Sequence, residues 1–541
     1  MRWTSIFVSA VFAAVLVGSA ATILPRFGAG PVSVILLTVE SLRADRFTRR
    51  LAPEFFAAAE HASQFRGHRS IASWTGPNII ALLTGLSPFE QGVHARGHAI
   101  AAARDVALER LARSGWSVGS IQAFARTENF QNLGMPVAGG ESLKGWLARR
   151  ALSRRPFFFW HHYLETHLPY DPPPAHLSPD LILPEVGDPS FEAVAAVRRL
   201  PAVRAGSVAF DPSRDRPVIE GLYDGGIRAF DAWFASFWTF FNASGLRENT
   251  VLIVTADHGE ELLERGHVGH ASTTGEGTLF EESVRVPLFI WWPERAGGLE
   301  RGARGEPSDH LDIMPTVLDL LGEPYGLGLP GRSLLRPRED YRWHGLTSRA
   351  GFAEPNPDDV RNFIAAAAAG RWKLIVESDK RTLVTTRLYD LARDPVESTD
   401  VAAARPEVVA RLLPPLLDRI RTFALPGAAA DTAVRSARTG AAPRWVFPAR
   451  SRSVSWGDLR GRAYLEWSGE AGKAYIVEYR AGEGPLEVSG RISVDGPQKD
   501  FGTFSRNYWE TWIVPYKRVT LRVREAPGGI WSETMTITLR K

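Results

Sequence analysis

Apolar residues in this chain first gather into short unbroken runs. Residues 32–39 are nearly all apolar, too short for a free-standing helix, and read as a parallel strand buried on both faces. Similar runs occupy 117–124, 157–164, 251–256 and 287–292. Between and after them, residues 105–114, 226–241, 312–321 and 407–423 carry apolar positions at helical spacing. Strands alternating with helices predict an α/β fold built on a doubly wound, mostly parallel sheet, spanning residues 30–425.

The pattern changes twice. Residues 171–217 are proline-rich and weakly periodic, long for a connection, and read as an insertion or lid over a site. Residues 426–443, rich in Ala, Gly and small polar side chains, read as a linker. Beyond them, 474–480, 518–525 and 533–540 alternate apolar and polar positions between turn signals, which predicts a C-terminal β-sandwich over 444–541.

At the other end, Arg2 precedes residues 3–24, which hold no formal charge and stop at Pro25-Arg26. As a helix that run would be about 33 Å long, enough to cross a bilayer core. Its small residues at 18–21 also resemble a cleavage site. Segment 1–25 is therefore read as a signal peptide or N-terminal membrane anchor. The expected location is periplasmic or extracytoplasmic, with the inner membrane as support if the anchor is retained.

Bulk composition mainly excludes. With 64 basic and 60 acidic side chains the net charge is only +4, and no basic run with interleaved aromatics argues for nucleic acid. The absence of cysteine excludes disulfides, thiolate metal sites and a Cys nucleophile.

Ligands of such sheets gather at the carboxyl ends of strands. Glu40 follows the first run, Asp257 and His258 the fourth, and His167 lies just beyond the third. Carboxylate oxygens and an imidazole nitrogen suit Zn²⁺ or Mn²⁺, with Ca²⁺ or Mg²⁺ as further options. Singly, each has a plainer explanation: Glu40 as a helix cap, Asp257-His258 as a polar turn, His167 and His270 as ordinary core or surface histidines. Thr75, ahead of Gly76-Pro77, reads equally as a helix N-cap. A helix dipole, at about 0.3–1 kcal/mol, is less than the roughly 1.4 kcal/mol of one pKa unit. A divalent metal can move the pKa of bound water from about 15.7 to about 7. A nucleophilic Thr75 therefore needs a metal, with Glu40, Asp257 and His258 as the candidates to hold it. His267 and His310 are weaker candidates.

Taken together, these segments resemble the sulfatase family of the alkaline phosphatase superfamily. The resemblance rests on Val-Glu-Ser-Leu-Arg-Ala-Asp-Arg (39–46), the helix entry at 75–85, Gly-Leu-Ser-Pro (85–88), and residues 162–170. It continues through Thr-Ala-Asp-His-Gly-Glu (255–260) leading to Gly269-His270, Arg-Val-Pro-Leu (285–288), Asp-Ile-Met-Pro-Thr (312–316), and Leu-Tyr-Asp-Leu (388–391) before Asp394-Pro395. It implies a metal-bound nucleophile at Thr75, ligands at Glu40, Asp257 and His258, and contact of His167 and His270 with the sulfate or phosphate group.

Two departures shape the expected chemistry. Sulfatases carry Cys or Ser where this chain has Thr75, and oxidise it to an aldehyde; threonine would give a ketone. The arginine that usually follows in that motif is Ile79. The ligand set resembles more closely that of phosphoethanolamine transferases and lipoteichoic acid synthases. The nucleotide pyrophosphatase branch places a second-metal Asp where this chain has Tyr163, which implies one firmly held ion. The resulting expectation is a Thr-nucleophile hydrolase or transferase acting on phosphate mono- or diesters of the cell envelope. The alternative is sulfuric ester hydrolysis, and a third is a non-catalytic scaffold binding envelope polymer through the sandwich. That sandwich, with Trp467, residues 475–479 and Trp531, resembles a fibronectin type III module.

Overall fold

The computed structural model describes residues 32–421, apart from gaps of which the longest is 349–362, and most of the strands between 445 and 540. The 1–25 segment and the 426–443 linker fall outside the described residues. Among the described residues no helix is long and apolar enough to cross a membrane.

The central sheet has seven strands: β1 (Ser33–Val39), β2 (Ser63–Phe65), β3 (Ser117–Ser120), β4 (Phe157–Tyr163), β5 (Thr250–Ala256), β6 (Leu288–Trp291) and β7 (Gly302–Arg304). Their order is β7-β2-β6-β5-β1-β4-β3. β1 lies between β4 and β5 and is parallel to both, and β3 extends this block in parallel. β6 runs antiparallel to β5 and β2. An unbroken apolar run signals burial on both faces but carries no direction, so the strand expected at 287–292 forms while its orientation was not legible.

Every residue of β1 and β5 is buried. Alternate side chains go to opposite faces. Ile35, Leu37 and Val39 join the aromatic core formed by Phe230, Phe234 and Phe237. Val34 and Leu36 join the opposite core with Ile79, Leu82 and Leu83. Burying one such side chain contributes about 1.5–3 kcal/mol, so both faces hold the strand.

The helices used below are α1 (Thr75–Thr84), α2 (Phe191–Arg199), α3 (Pro212–Ala243), α4 (Ile313–Leu320) and α5 (Pro406–Arg421). α3 begins before the end of the expected insertion, with Asp211 accepting from the Ser213 amide as its cap. The same insertion contains α2, which buries Val194 and Val197 against the α3 side of the core.

A second, antiparallel sheet of four strands follows: β8 (Trp343–Ser348), β9 (Phe363–Ala369), β10 (Trp372–Asp379) and β11 (Thr382–Asp390), with α5 packed on it. Lys373 on β10 is buried and pairs at 3.0 Å with both Glu281 and Glu397. Arg69 grips Glu281 from the other side at 2.9 and 3.0 Å. Burial works against the Glu281 charge, but the Lys373 and Arg69 cations overcome it and hold this carboxyl far below its usual range. Removing Lys373 would take from the buried Glu397 carboxylate its paired cation, and from Glu281 one of the two that hold it. Lys373→Ala is therefore expected to cost about 3–5 kcal/mol in urea unfolding. Because the folded value of Glu281 is depressed, its share of stability is complete above the ordinary 4.5 and fades as pH falls below it. A flat stability profile between pH 6 and about 3 would contradict this.

Beyond residue 444 two further sheets share one core. Leu465 and Trp467 from the three-stranded sheet meet Tyr475, Val477, Leu521, Val523 and Ile537 from the five-stranded one. Pairing is antiparallel except between Arg452–Ser455 and Met535–Arg540. The expected C-terminal antiparallel domain is present; its likeness to a fibronectin type III module has no independent support.

Candidate active site

Parallel register places the key side chains. Val39 pairs with Ala256 on β5, so Glu40 and Asp257 leave adjacent strands at the same level. On the other side Thr38 pairs with His162 of β4. Thr75 enters from above as the first residue of α1. The N-cap itself is Trp74, in extended conformation, so Thr75 does not cap the helix and its hydroxyl is left for other partners. Gly76 permits this approach, since a Cβ there would lie 2.6 Å from the Trp74 ring.

Thr75 Oγ1 lies 3.2 and 3.4 Å from the two Glu40 oxygens and 3.4 Å from His258 Nε2. His258 Nε2 is 3.2 Å from Glu40 Oε1 and 3.3 Å from Asp257 Oδ2. His258 Nδ1 donates to the Gly259 carbonyl at 2.7 Å, which turns Nε2 toward the carboxylates. Glu40, Asp257 and His258 are buried, while Thr75 and His167 keep part of their surface open.

Electrostatics follow from that packing. Burial opposes the Glu40 charge, but hydrogen bonds from His162 and His258 prevail and hold it well below the carboxylate range. Burial and then the Glu40 charge push Asp257 up to about 6. Burial also opposes a charged His258, yet Asp257 and Glu40 raise it to about 9. Burial pushes His167 down to about 4.

These residues fit a cation. Among the described residues Asp257 Oδ2 is buried with no hydrogen-bond partner, and such an atom is costly unless something positive reaches it. Ligand atoms of Glu40, His162 and Asp257 lie within 4.8 Å of one another, as do those of Glu40, His258 and His270. The mixed oxygen and nitrogen donors suit Zn²⁺ or Mn²⁺.

Of the sequence candidates, Glu40, Thr75, Asp257 and His258 form one cluster. His270 adjoins it, its ring centroid 4.2 Å from that of His258, with its side chain fully buried. His167 sits edge-on to His270 at 4.9 Å and donates Nδ1–H to the Leu168 carbonyl. His267 and His310 belong to neither convergent group; His310 packs 5.3 Å from His68.

Three participants were missed. His162 Nε2 is 2.9 Å from Glu40 Oε2. Ser41 donates its amide to Asp257 Oδ1 at 2.9 Å. Glu260 bonds His270 Nδ1 at 2.9 Å and accepts from the Tyr170 hydroxyl at 2.9 Å. The signal for His162 was available: in a strand buried on both faces, a polar residue level with Thr38 needs a polar reason.

Two carboxylates, imidazoles and a helix-borne hydroxyl at the carboxyl ends of a mostly parallel sheet define an alkaline phosphatase-type fold. Solved structures agree: a phosphonate monoester hydrolase of Agrobacterium radiobacter superposes with a TM-score of 0.55 at 20% identity, covering 73% of this chain and 96% of that one. A protein solved with its substrate D-glucosamine-2-N,6-O-disulfate gives a TM-score of 0.54 at 15% identity, over 73% of this chain and 98% of the other. The family model described as Sulfatase matches residues 141–323. Arylsulfatase K of Bos taurus is 31% identical over 173 residues, 31% of this chain and 30% of its own. Arylsulfatase A of Homo sapiens is 29% identical over 236 residues, 38% of this chain and 45% of its own. The chain thus spans less than half the length of these curated relatives. Over residues 141–323 it is similar to the sulfatase family, and its fold is of the alkaline phosphatase type.

Proposed function

We propose that this chain is a metal-dependent ester hydrolase in which the Thr75 hydroxyl forms a transient ester with the acid half of the substrate. The observation that supports it is the Thr75 hydroxyl, partly open to solvent yet 3.2 Å from Glu40 and 3.4 Å from His258. Between the two acids considered, the curated relatives are arylsulfatases. They favour sulfuric esters over the phosphate esters first expected, and sulfuric esters are placed first here.

Phosphate remains as a second reading because of one residue. The sulfatase route ends when an aldehyde hydrate collapses and expels sulfate; a threonyl ester has no such exit. Water must attack the central atom instead, which phosphorus accepts readily. In either case the Thr75 oxygen bonds to sulfur or phosphorus, and the bond to the leaving alcohol breaks. That alcohol takes up the proton Thr75 gave up. Water then cleaves the Thr75 ester and releases the inorganic anion. A divalent ion held by Glu40, Asp257 and His258 would lower the hydroxyl pKa and offset charge on the ester oxygens. His167, neutral before substrate arrives, has its Nδ1 proton committed to Leu168, so Nε2 can take up a proton alongside an incoming anion. Export is proposed on the uncharged run 3–24 alone.

Aryl sulfate, aryl phosphate and bis-aryl phosphate assayed side by side test this order. Faster sulfate cleavage is the expected result, and faster phosphate cleavage would reverse it. Turnover of none, with no stoichiometric divalent ion in the purified protein, would favour the scaffold reading.

A further inference from the structure

The segment leading into Thr75 is tied down to an unusual degree. Each backbone carbonyl from Ser70 to Trp74 accepts a hydrogen bond. Asn78 supplies two of the donors, reaching Ala72 at 2.7 Å and Trp74 at 3.0 Å, while its oxygen accepts from the Ile71 and Ala72 amides. The Ala271 amide, next to His270, reaches the Ser73 carbonyl at 3.2 Å.

The other two carbonyls are held by β8, the edge strand of the second sheet. Trp343 Nε1 donates to Ser70 at 2.8 Å, and the Leu346 amide donates to Ile71 at 3.0 Å. A side-chain contact completes the clasp: Ser73 Oγ donates to Thr347 Oγ1 at 3.1 Å. Trp343 and Thr347 are both buried. Gly345 lets the strand approach, because a Cβ there would lie 2.6 Å from the Trp343 ring and 3.4 Å from the Ile71 carbonyl.

We propose that β8 is a positioning element for Thr75, acting through Thr347 and Trp343 on residues 70–74. Their side-chain hydrogen bonds go to Ser70 and Ser73. The inference rests on Thr75 being the attacking group, and it assigns the second sheet a share in the reaction. A displacement of about 1 Å at a reacting atom can cost on the order of 100-fold in rate, so loosening this clasp would show in kcat.

Thr347→Val removes the acceptor while keeping shape. It is expected to lower kcat about 10-fold with KM within about twofold, to leave the melting temperature nearly unchanged, and to speed amide exchange in the peptide 70–76. Thr347→Ser should restore kcat, and Trp343→Phe should act like Thr347→Val. Wild-type kcat in both Thr347→Val and Trp343→Phe would overturn the proposal, as would a kcat loss that merely follows loss of folded protein. The exchange measurement separates this idea from the reading it rests on. If wild type turns over no ester, unchanged exchange at 70–76 in the variants overturns the clasp, whereas faster exchange there upholds the clasp and discards only the role of Thr75.

Discussion

Thr75→Ala is expected to lower kcat by on the order of 10⁴-fold or more on whichever ester the protein cleaves, the scale seen when a covalent nucleophile is lost. The fold should survive, because among the described residues the Thr75 hydroxyl bonds only to Glu40 and His258, and its side chain is not fully buried. Thr75→Ser keeps the hydroxyl and should keep measurable turnover. Rapid quenching of wild type with substrate should leave a sulfate or phosphate mass on the peptide containing Thr75. An alanine variant with kcat within 10-fold of wild type would assign the attack to another oxygen, and no rearrangement of partners would rescue the reading.

The second large effect concerns the cation. Asp257→Asn is expected to weaken divalent-ion binding by about 100-fold or more, since it removes a charged ligand and not only a supporting bond. Its stability signature is distinctive. In chelator-treated protein the substitution relieves repulsion with Glu40, which helps push Asp257 up to about 6, so the variant should be no less stable than wild type. With saturating Zn²⁺ or Mn²⁺ it should be the less stable of the two. His258, raised to about 9, carries a proton at neutral pH, and a ligand imidazole must lose it. Calorimetry in buffers of different ionisation enthalpy should therefore show about one proton released per ion bound at pH 7. Zero release, or equal binding by Asp257→Asn, would remove the ion from this cluster.

The parts of this architecture legible in the sequence were those that local pattern specifies. Buried runs gave β1, β4 and β5, and with them the strand ends that carry Glu40, Asp257 and His258. Other parts depended on partners distant in sequence. β9 reads Phe-Ile-Ala-Ala-Ala-Ala-Ala, the composition of a good helix; it is a strand because β8 and β10 flank it. β6 runs opposite to its neighbour for a reason no run of apolar residues records. α2 was hidden in a proline-rich stretch whose helical span is only nine residues. Within the site, His162 and Glu260 escaped because their importance comes from what lies across the sheet from them. Thr75 was found for a different reason: the residues around it, at the entry to a helix over 75–85, resemble a family motif that places a nucleophile there.

The sorting of β1 between two cores has a further effect on how this protein can change over time. Odd-numbered positions from Ile35 to Val39 serve one face and even-numbered ones the other. Inserting or deleting one residue there would exchange the two sets and swing Glu40 away from Asp257. Substitutions within β1 are open to drift, but its length is frozen, and lineages of this gene should vary in side chains there without ever gaining or losing a codon.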